Sequence, residues 1–271
     1  MRNSRGRGPA TTASGRFAVL IAGIASCLPP AALARQANEE AYAGLGLRLR
    51  PAYEGADTRR GQVIPYLRYY GEHWFARTTQ GMLEAGARAR PVHAVVFGAQ
   101  LAYEDGRVSD ESAFLRARNF EDIHPGASAG VHAEIDWNVG PMPLNALARY
   151  RRHFDPDLGT QADLRLTAGI YSRARLKAGV FGQLTWSDRR ATQSYFGVTA
   201  EQAAASGLPQ YAAGAGLRSG EVGALGAVEL SRHWLALWSF SGRRLLGDAG
   251  DSPLALDSSN WYASAGVAYR F

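Results

Sequence analysis

The sequence predicts an all-β fold: a transmembrane antiparallel up-and-down β-barrel of about twelve strands, with short periplasmic turns and longer extracellular loops. Three observations predict it. The C-terminal segment is a strand with one greasy face, the N-terminus is built like an export signal, and alternating segments of about ten residues recur along the 271-residue chain.

The last eleven residues place Trp261, Ala263, Ala265, Val267, Tyr269 and Phe271 on one face. Tyr262, Ser264, Gly266, Ala268 and Arg270 fall on the other. A period of two is a strand. Aromatics near both ends of its apolar face suit a lipid-facing stave between two interfacial girdles. Trp261, Tyr269 and Phe271 are the residues expected to mark this strand for insertion by the barrel-assembly machinery. A terminal strand of a soluble sandwich would share the alternation but would have no need of the aromatic ends.

At the other end, Arg2, Arg5, Arg7 and Arg16 precede the apolar run Phe17–Leu28, and Ala32-Leu33-Ala34 follows. Basic region, short apolar core and A-x-A site predict a secretory signal over residues 1–34, cut after Ala34, with the barrel domain over 35–271. The apolar run falls short of the about 20 residues a membrane helix needs. Ile24-Ala25-Ser26-Cys27 also offers a lipidation alternative at Cys27, the only cysteine. The formal charge of +6 is misleading, because four arginines and no acids lie in residues 1–34, which leaves +2 for the rest. Nothing here calls for nucleic acid. A membrane protein without spanning helices must cross as a closed barrel, since lipid offers no partners to open backbone groups. The implied address is the outer membrane of a Gram-negative bacterium, in contact with outer-membrane lipid.

Between the ends, Ala43, Leu45, Leu47 and Leu49 alternate with Gly44, Gly46, Arg48 and Arg50. Leu83–Ala89, Ala127–Trp137, Leu164–Ile170 and Leu176–Trp186 repeat the pattern, with Tyr171 continuing the polar face of its segment. Long connections fall near 105–125, 187–216 and 244–258, and short ones near Gly71-Glu72, Arg90-Pro91, Asn138–Met142, Ser172–Ala174 and Ser231-Arg232. Short helical turns suit Asp110–Arg118 and Thr199–Ser206. A first division yields thirteen strands. Taking 217–231 as one strand gives twelve, puts both termini in the periplasm and sends every long loop outside; ten or fourteen strands remain open. The tryptophans Trp74, Trp137, Trp186, Trp234, Trp238 and Trp261 read as girdle anchors.

Three stretches resemble the MltA-interacting protein (MipA)/OmpV family of outer-membrane proteins. The first is Leu45 to Asp57, with Pro51, Tyr53, Glu54, Gly55 and Asp57, followed by Ile64-Pro65-Tyr66. The second runs from Tyr195, Phe196 and Gly197 to Leu208. The third is Arg244 to Pro253, with Gly247, Asp248, Asp251, Ser252 and Pro253. The resemblance implies an outer-membrane barrel. It also implies a scaffold that links a lytic transglycosylase to a murein synthase. Such docking would use periplasmic surface, where this topology leaves only short turns. A stable interface takes about 800 Å² per partner, so several turns would have to act together. The three motifs fall in outer loops and suit a fold over the barrel mouth.

The inward face carries the candidate chemistry. Arg48, Arg50, Arg88, Arg90, Arg149, Arg151, Arg165, Lys177 and Arg270 stand on the basic side. Glu84, Glu134, Asp136, Asp163, Glu221 and Glu229 stand on the acidic side. They can form a channel lining with a mild anion bias or an ion-pair network that fills a narrow barrel; both stay open. None of the six histidines sits in a local motif with Ser and an acid, so the residues point away from an enzyme and no catalytic residue is assigned. No cofactor or metal is expected. His132 with Glu134 suits a polar lining. Asp248, Asp251 and Ser252 could hold calcium, although such residues ordinarily make turns.

Overall fold

The structure, a computed structural model, describes residues 41–92 and 94–271. The expected signal over residues 1–34, with Cys27, lies outside the described residues. Twelve strands close into one antiparallel barrel: β1 (Tyr42–Pro51), β2 (Arg59–Tyr70), β3 (Trp74–Thr79), β4 (Met82–Val92), β5 (Val95–Glu104), β6 (Gly126–Val139), β7 (Met142–His153), β8 (Thr160–Arg173), β9 (Leu176–Ser187), β10 (Gly216–Glu229), β11 (Trp234–Leu245) and β12 (Ser259–Arg270). Each strand pairs with its sequence neighbours. β1 closes on β12 in a register from Tyr42↔Arg270 to Leu49↔Ala263. The even count sets both ends of the described chain at one rim, and that rim carries the short turns.

The alternation explains which way the barrel is turned. Outward residues are apolar and bare: Leu45, Leu47 and Val63 are each 65% exposed. Inward residues are polar and buried, Glu84 completely. In water this would forfeit roughly 1.5–3 kcal/mol per large apolar side chain; against hydrocarbon it forfeits nothing. The strands, mostly 10 to 14 residues long, suit a tilted crossing of the bilayer. At the short-turn rim Tyr269 packs against Trp234 (5.4 Å), His233 (5.6 Å) and Phe271 (5.4 Å). At the other rim Trp261 stacks on Phe240 at 6.1 Å and takes the Arg59 guanidinium over its ring at 3.8 Å. These clusters stand where interfacial girdles belong.

Bulges in β8 and β4 bend the expected pattern. The register of β8 shifts between Gly169 and Tyr171, so Tyr171 points outward, 46% exposed, and not into the lumen as strict alternation predicts. The register of β4 shifts between Ala89 and Val92, and Arg90 becomes exposed at the short-turn rim.

β3 is the exception in length, at six residues. Its turn to β4 is the two-residue Gln80-Gly81, with φ of 53° and 87°. Two positive φ values are the signature of a type I′ hairpin. The hairpin ends short of the mouth, and its tip lies inside: a Cβ at Gly81 would meet the Arg48 guanidinium at 2.3 Å. β2 therefore pairs with β3 only at Arg68↔Arg77, Tyr69↔Ala76 and Tyr70↔Phe75, while it pairs with β1 from Arg59 to Arg68. Pro65, which has no N–H to donate, sits in the stretch that lacks a strand on one side.

The long loops pack into a cap. α1 (Ala113–Arg116) lies in the loop over 105–125. α2 (Arg189–Phe196) and α3 (Ala200–Ser206) lie in that over 188–215, and α4 (Gly247–Gly250) in that over 246–258. Asp188 caps α2 by accepting from the Ala191 N–H at 2.8 Å. Thr199 and Gln202 form a capping box on α3. Ala52, Tyr53, Ala56, Leu115, Phe120, Val198 and Leu254, drawn from four loops, make one buried apolar cluster.

Candidate functional site

The candidate site is the lumen beneath this cap. Its centre is Glu84 on β4. The carboxylate accepts from Arg77 Nε (2.8 Å) on β3, Arg149 Nη1 (2.8 Å) on β7, Gln100 Nε2 (2.9 Å) on β5 and Thr79 Oγ1 (3.1 Å). Arg77 also reaches Glu134 on β6 at 2.5 Å, and Arg149 reaches Asp163 on β8 at 3.3 Å. Arg151 bridges Glu104 (2.5 Å) and Asp163 (2.8 Å), and Thr185 on β9 donates to Asp163 at 2.9 Å. The lattice thus runs from β3 to β9 across the interior. Each charge is desolvated yet answered by an opposite one, the only form in which buried ions are affordable.

A second lattice ties the cap to the wall. Glu54, in the β1–β2 loop, pairs with both Arg218 of β10 and Arg243 of β11. Arg243 also holds Glu221 at 2.7 Å, and the hairpin tip joins in through Gln80, which donates to Glu221 at 2.5 Å. Burial alone would push the Glu54 carboxyl up, but the Arg218 and Arg243 guanidiniums outweigh it and hold it at about 2. Burial pushes the Tyr195 hydroxyl up to about 12 despite the Arg218 guanidinium 4.5 Å from its ring. A third group joins Arg50 to Gln62 (3.0 Å), Asp105 (3.9 Å) and Glu111 (3.5 Å), with Arg60 also on Glu111.

The inward candidates occupy different depths. Arg48, Arg50, Arg149, Arg165 and Glu84 are buried. Arg88, Lys177, Glu134 and Asp136 are half-buried nearer the short-turn rim. Arg165 lies over the Phe181 ring at 3.8 Å, and Asp136 accepts from Asn145 at 2.8 Å. The family-motif residues converge from three loops. Tyr53 OH donates to the Leu254 carbonyl (2.9 Å), and Ser252 Oγ donates to the Phe196 carbonyl (2.5 Å). The Asp257 N–H donates to the Gly55 carbonyl at 3.0 Å. Gly55, at φ +95°, lies where a Cβ would sit 2.9 Å from Ala255 Cα. Pro51 is buried, Gly197 closes α2 and Gly247 opens α4. Asp57 and Asp251 stay exposed, and Pro253 is half-buried. Asp248 accepts from the Gly214 N–H at 2.5 Å, which ties two of the outer loops together. Among the described residues no three His, Cys, Asp or Glu side chains cluster as ligands would.

Sequence reasoning missed Arg77, Arg107, Arg218 and Arg243. Arg77 belongs to a strand of only six residues. Arg107 is in a loop, where its Nη1 donates to the Tyr195 carbonyl at 2.7 Å. Arg218 faces inward because of a bulge between Leu217 and Ser219. Arg243 shares its inward face with Leu235 and Leu237, which hides the alternation. One acid–base group invites a catalytic interpretation: Ser128, Glu104 and His153. Here Ser128 Oγ donates to Glu104 at 2.8 Å, and His153 lies 3.8 Å beyond on the same carboxylate. Ser128 and His153 face each other across β6 and β7, but among the described residues neither imidazole nitrogen has a hydrogen-bond partner, so the serine proton is not handed to the imidazole.

The family model described as MltA-interacting protein MipA matches residues 43–271. No curated protein matches the chain. Solved structures similar in fold include OmpT, an outer membrane protein of Vibrio cholerae, at 8% identity and TM-score 0.35, covering 77% of this chain and 65% of that one. The translocator domain of autotransporter NalP from Neisseria meningitidis is 12% identical with TM-score 0.39, over 89% and 93% of the two chains. Pseudomonas putida OprB is 13% identical with TM-score 0.39, over 78% and 59%. The chain therefore spans just under two thirds of the length of OmpT. At TM-scores below 0.5 none of these structures bears on what the lumen does.

Proposed function

As the chain belongs to the MltA-interacting protein MipA family and is an outer-membrane β-barrel, we propose that it is a non-enzymatic envelope scaffold. Its partners on this proposal are a murein-degrading lytic transglycosylase and, through it, a murein synthase. The observation that carries the proposal is the Glu84-centred lattice, which fills the lumen with paired charge. A barrel filled in this way is better suited to presenting its rims than to passing solute.

The partner-facing surface on this proposal is the short-turn rim, which faces the periplasm. It exposes Arg90, Arg173, Arg175 and Arg232 against Glu72. A basic rim favours an acidic partner surface through steering and register, with modest gain in raw affinity. Capture of an MltA-type lytic transglycosylase by the folded barrel is the test. Arg173→Glu with Arg175→Glu is expected to weaken capture, increasingly so as salt is lowered, and to leave folding intact. Unchanged capture would rule out this rim. Single-channel recording of residues 35–271 in a planar bilayer is expected to be silent; steady ohmic openings would transfer the function to a solute channel.

A further inference from the structure

Beneath the cap lies a cavity of about 160 Å³, bounded by β1, the Gln80-Gly81 hairpin tip, β7 to β11 and the first residues of the 105–125 loop. Seven arginines line it against four carboxylates, Glu54, Glu104, Asp105 and Asp163. Those four are already committed: Glu54 to Arg218 and Arg243, Glu104 to Arg151, Asp163 to Arg149 and Arg151, and Asp105 to Arg50. Two lining arginines are left over.

Arg48 is 9% exposed and packs over the Tyr262 ring at 5.1 Å, and Arg107 is 4% exposed. Among the described residues neither has a carboxylate within ion-pair distance. The buried Nε atoms of Arg107, Arg149 and Arg151 also lack acceptors. A buried cation without a counter-charge is costly, and burial pushes Arg107 down accordingly. The cavity thus holds an excess of positive charge, unused donors and empty space together.

We propose that this cavity is a binding site for a small dianion, a short dicarboxylate or a phosphate group, held by Arg48 and Arg107 beneath the loop cap. The size fits: a cavity of about 150 Å³ takes a benzene-sized molecule, and a four-carbon dicarboxylate or a phosphate group is of that order. Guanidinium forks match carboxylate and phosphate oxygens in pairs. The proposal is independent of any periplasmic partner, because the cavity lies at the opposite end from the short-turn rim.

The test is calorimetric titration of the folded, detergent-solubilised barrel with succinate and, separately, with inorganic phosphate, at low chloride. Saturable binding of either is expected, weakening as salt is raised. Arg48→Gln, which breaks no ion pair, is expected to weaken it about tenfold, roughly 1.4 kcal/mol, with Arg48→Lys falling between. Folding of each variant is checked by heat-modifiable migration and strand circular dichroism. No saturation by either anion up to about 10 mM would overturn the proposal. So would binding by a folded Arg48→Gln barrel as tight as by the parent.

Discussion

Removing the Glu84 carboxylate gives the sharpest test of the luminal lattice. Glu84→Ala strips four hydrogen bonds from a fully buried site, two of them from guanidiniums at 2.8 Å. Breaking a buried ion pair by deleting one partner costs about 3–5 kcal/mol. The low end applies here, because each cation keeps a second carboxylate: Arg77 keeps Glu134 and Arg149 keeps Asp163. The expected loss is therefore about 3 kcal/mol. Glu84→Gln, which retains an acceptor oxygen, should lose about half of that, in line with roughly 1.5 kcal/mol per charged hydrogen bond. The assay is equilibrium urea unfolding of the barrel in liposomes, followed by tryptophan emission. A second arm is the double-mutant cycle with Arg149→Met, where a coupling of about 1–3 kcal/mol is expected. A Glu84→Ala loss under about 1 kcal/mol, or no coupling, would refute the view that this lattice holds the interior together.

Other expectations concern the cap and the chain end. Glu54 is held at about 2 against an ordinary value of 4.5, so its contribution is complete above pH 4.5 and drains away as pH falls toward 2. At about 1.4 kcal/mol per unit the ceiling is about 3 kcal/mol, less for a side chain one quarter open to water. Protease nicking of the outer loops should rise across that window, and Glu54→Gln should flatten the profile. Tyr195 acts oppositely: its pKa of about 12 favours the fold below pH 10 and stops doing so as pH climbs through 12. Gly55→Ala, at φ +95° with Ala255 in the way, should loosen the cap by more than about 1 kcal/mol, seen as faster amide exchange at 252–257 with the strands unchanged. Deleting Phe271, 81% exposed at the end of β12, should lower the amount of barrel reaching the outer membrane while refolding in detergent persists; equal surface levels would exclude recognition of this residue by the assembly machinery.

The barrel was legible in the sequence wherever one face is apolar without interruption. β1, β4, β6, β8, β9 and β12 read directly, because lipid demands apolar residues on every outward position while the lumen tolerates charge. β11 blurred because Leu235 and Leu237 face inward. β2 blurred because Arg59 and Gly61 point outward and Ile64 inward. Charges on the strongly alternating strands could be placed by parity alone. Arg107, Arg218 and Glu54 could not, since a bulge or a loop sets their direction. The lattice itself was beyond reach, because Glu84 meets Arg149 across 65 residues, and parity fixes a face without fixing which strands confront each other. The family motifs marked the loops that meet, although their residues do not reveal that Tyr53, Phe196 and Ser252 share one cap.

A cylinder stitched from twelve strands parts at its shortest row of stitches, and here that row is not where the ends of the chain meet. Three residue pairs hold β2 to β3, whereas β1 and β12 are joined from Tyr42↔Arg270 to Leu49↔Ala263. The sparsest backbone pairing of the wall thus lies to one side of β2, and the closure between the first and last strands is among its longer seams. The interior is capped above by loops and crossed by charge, yet its least-paired partition faces sideways, toward the acyl chains.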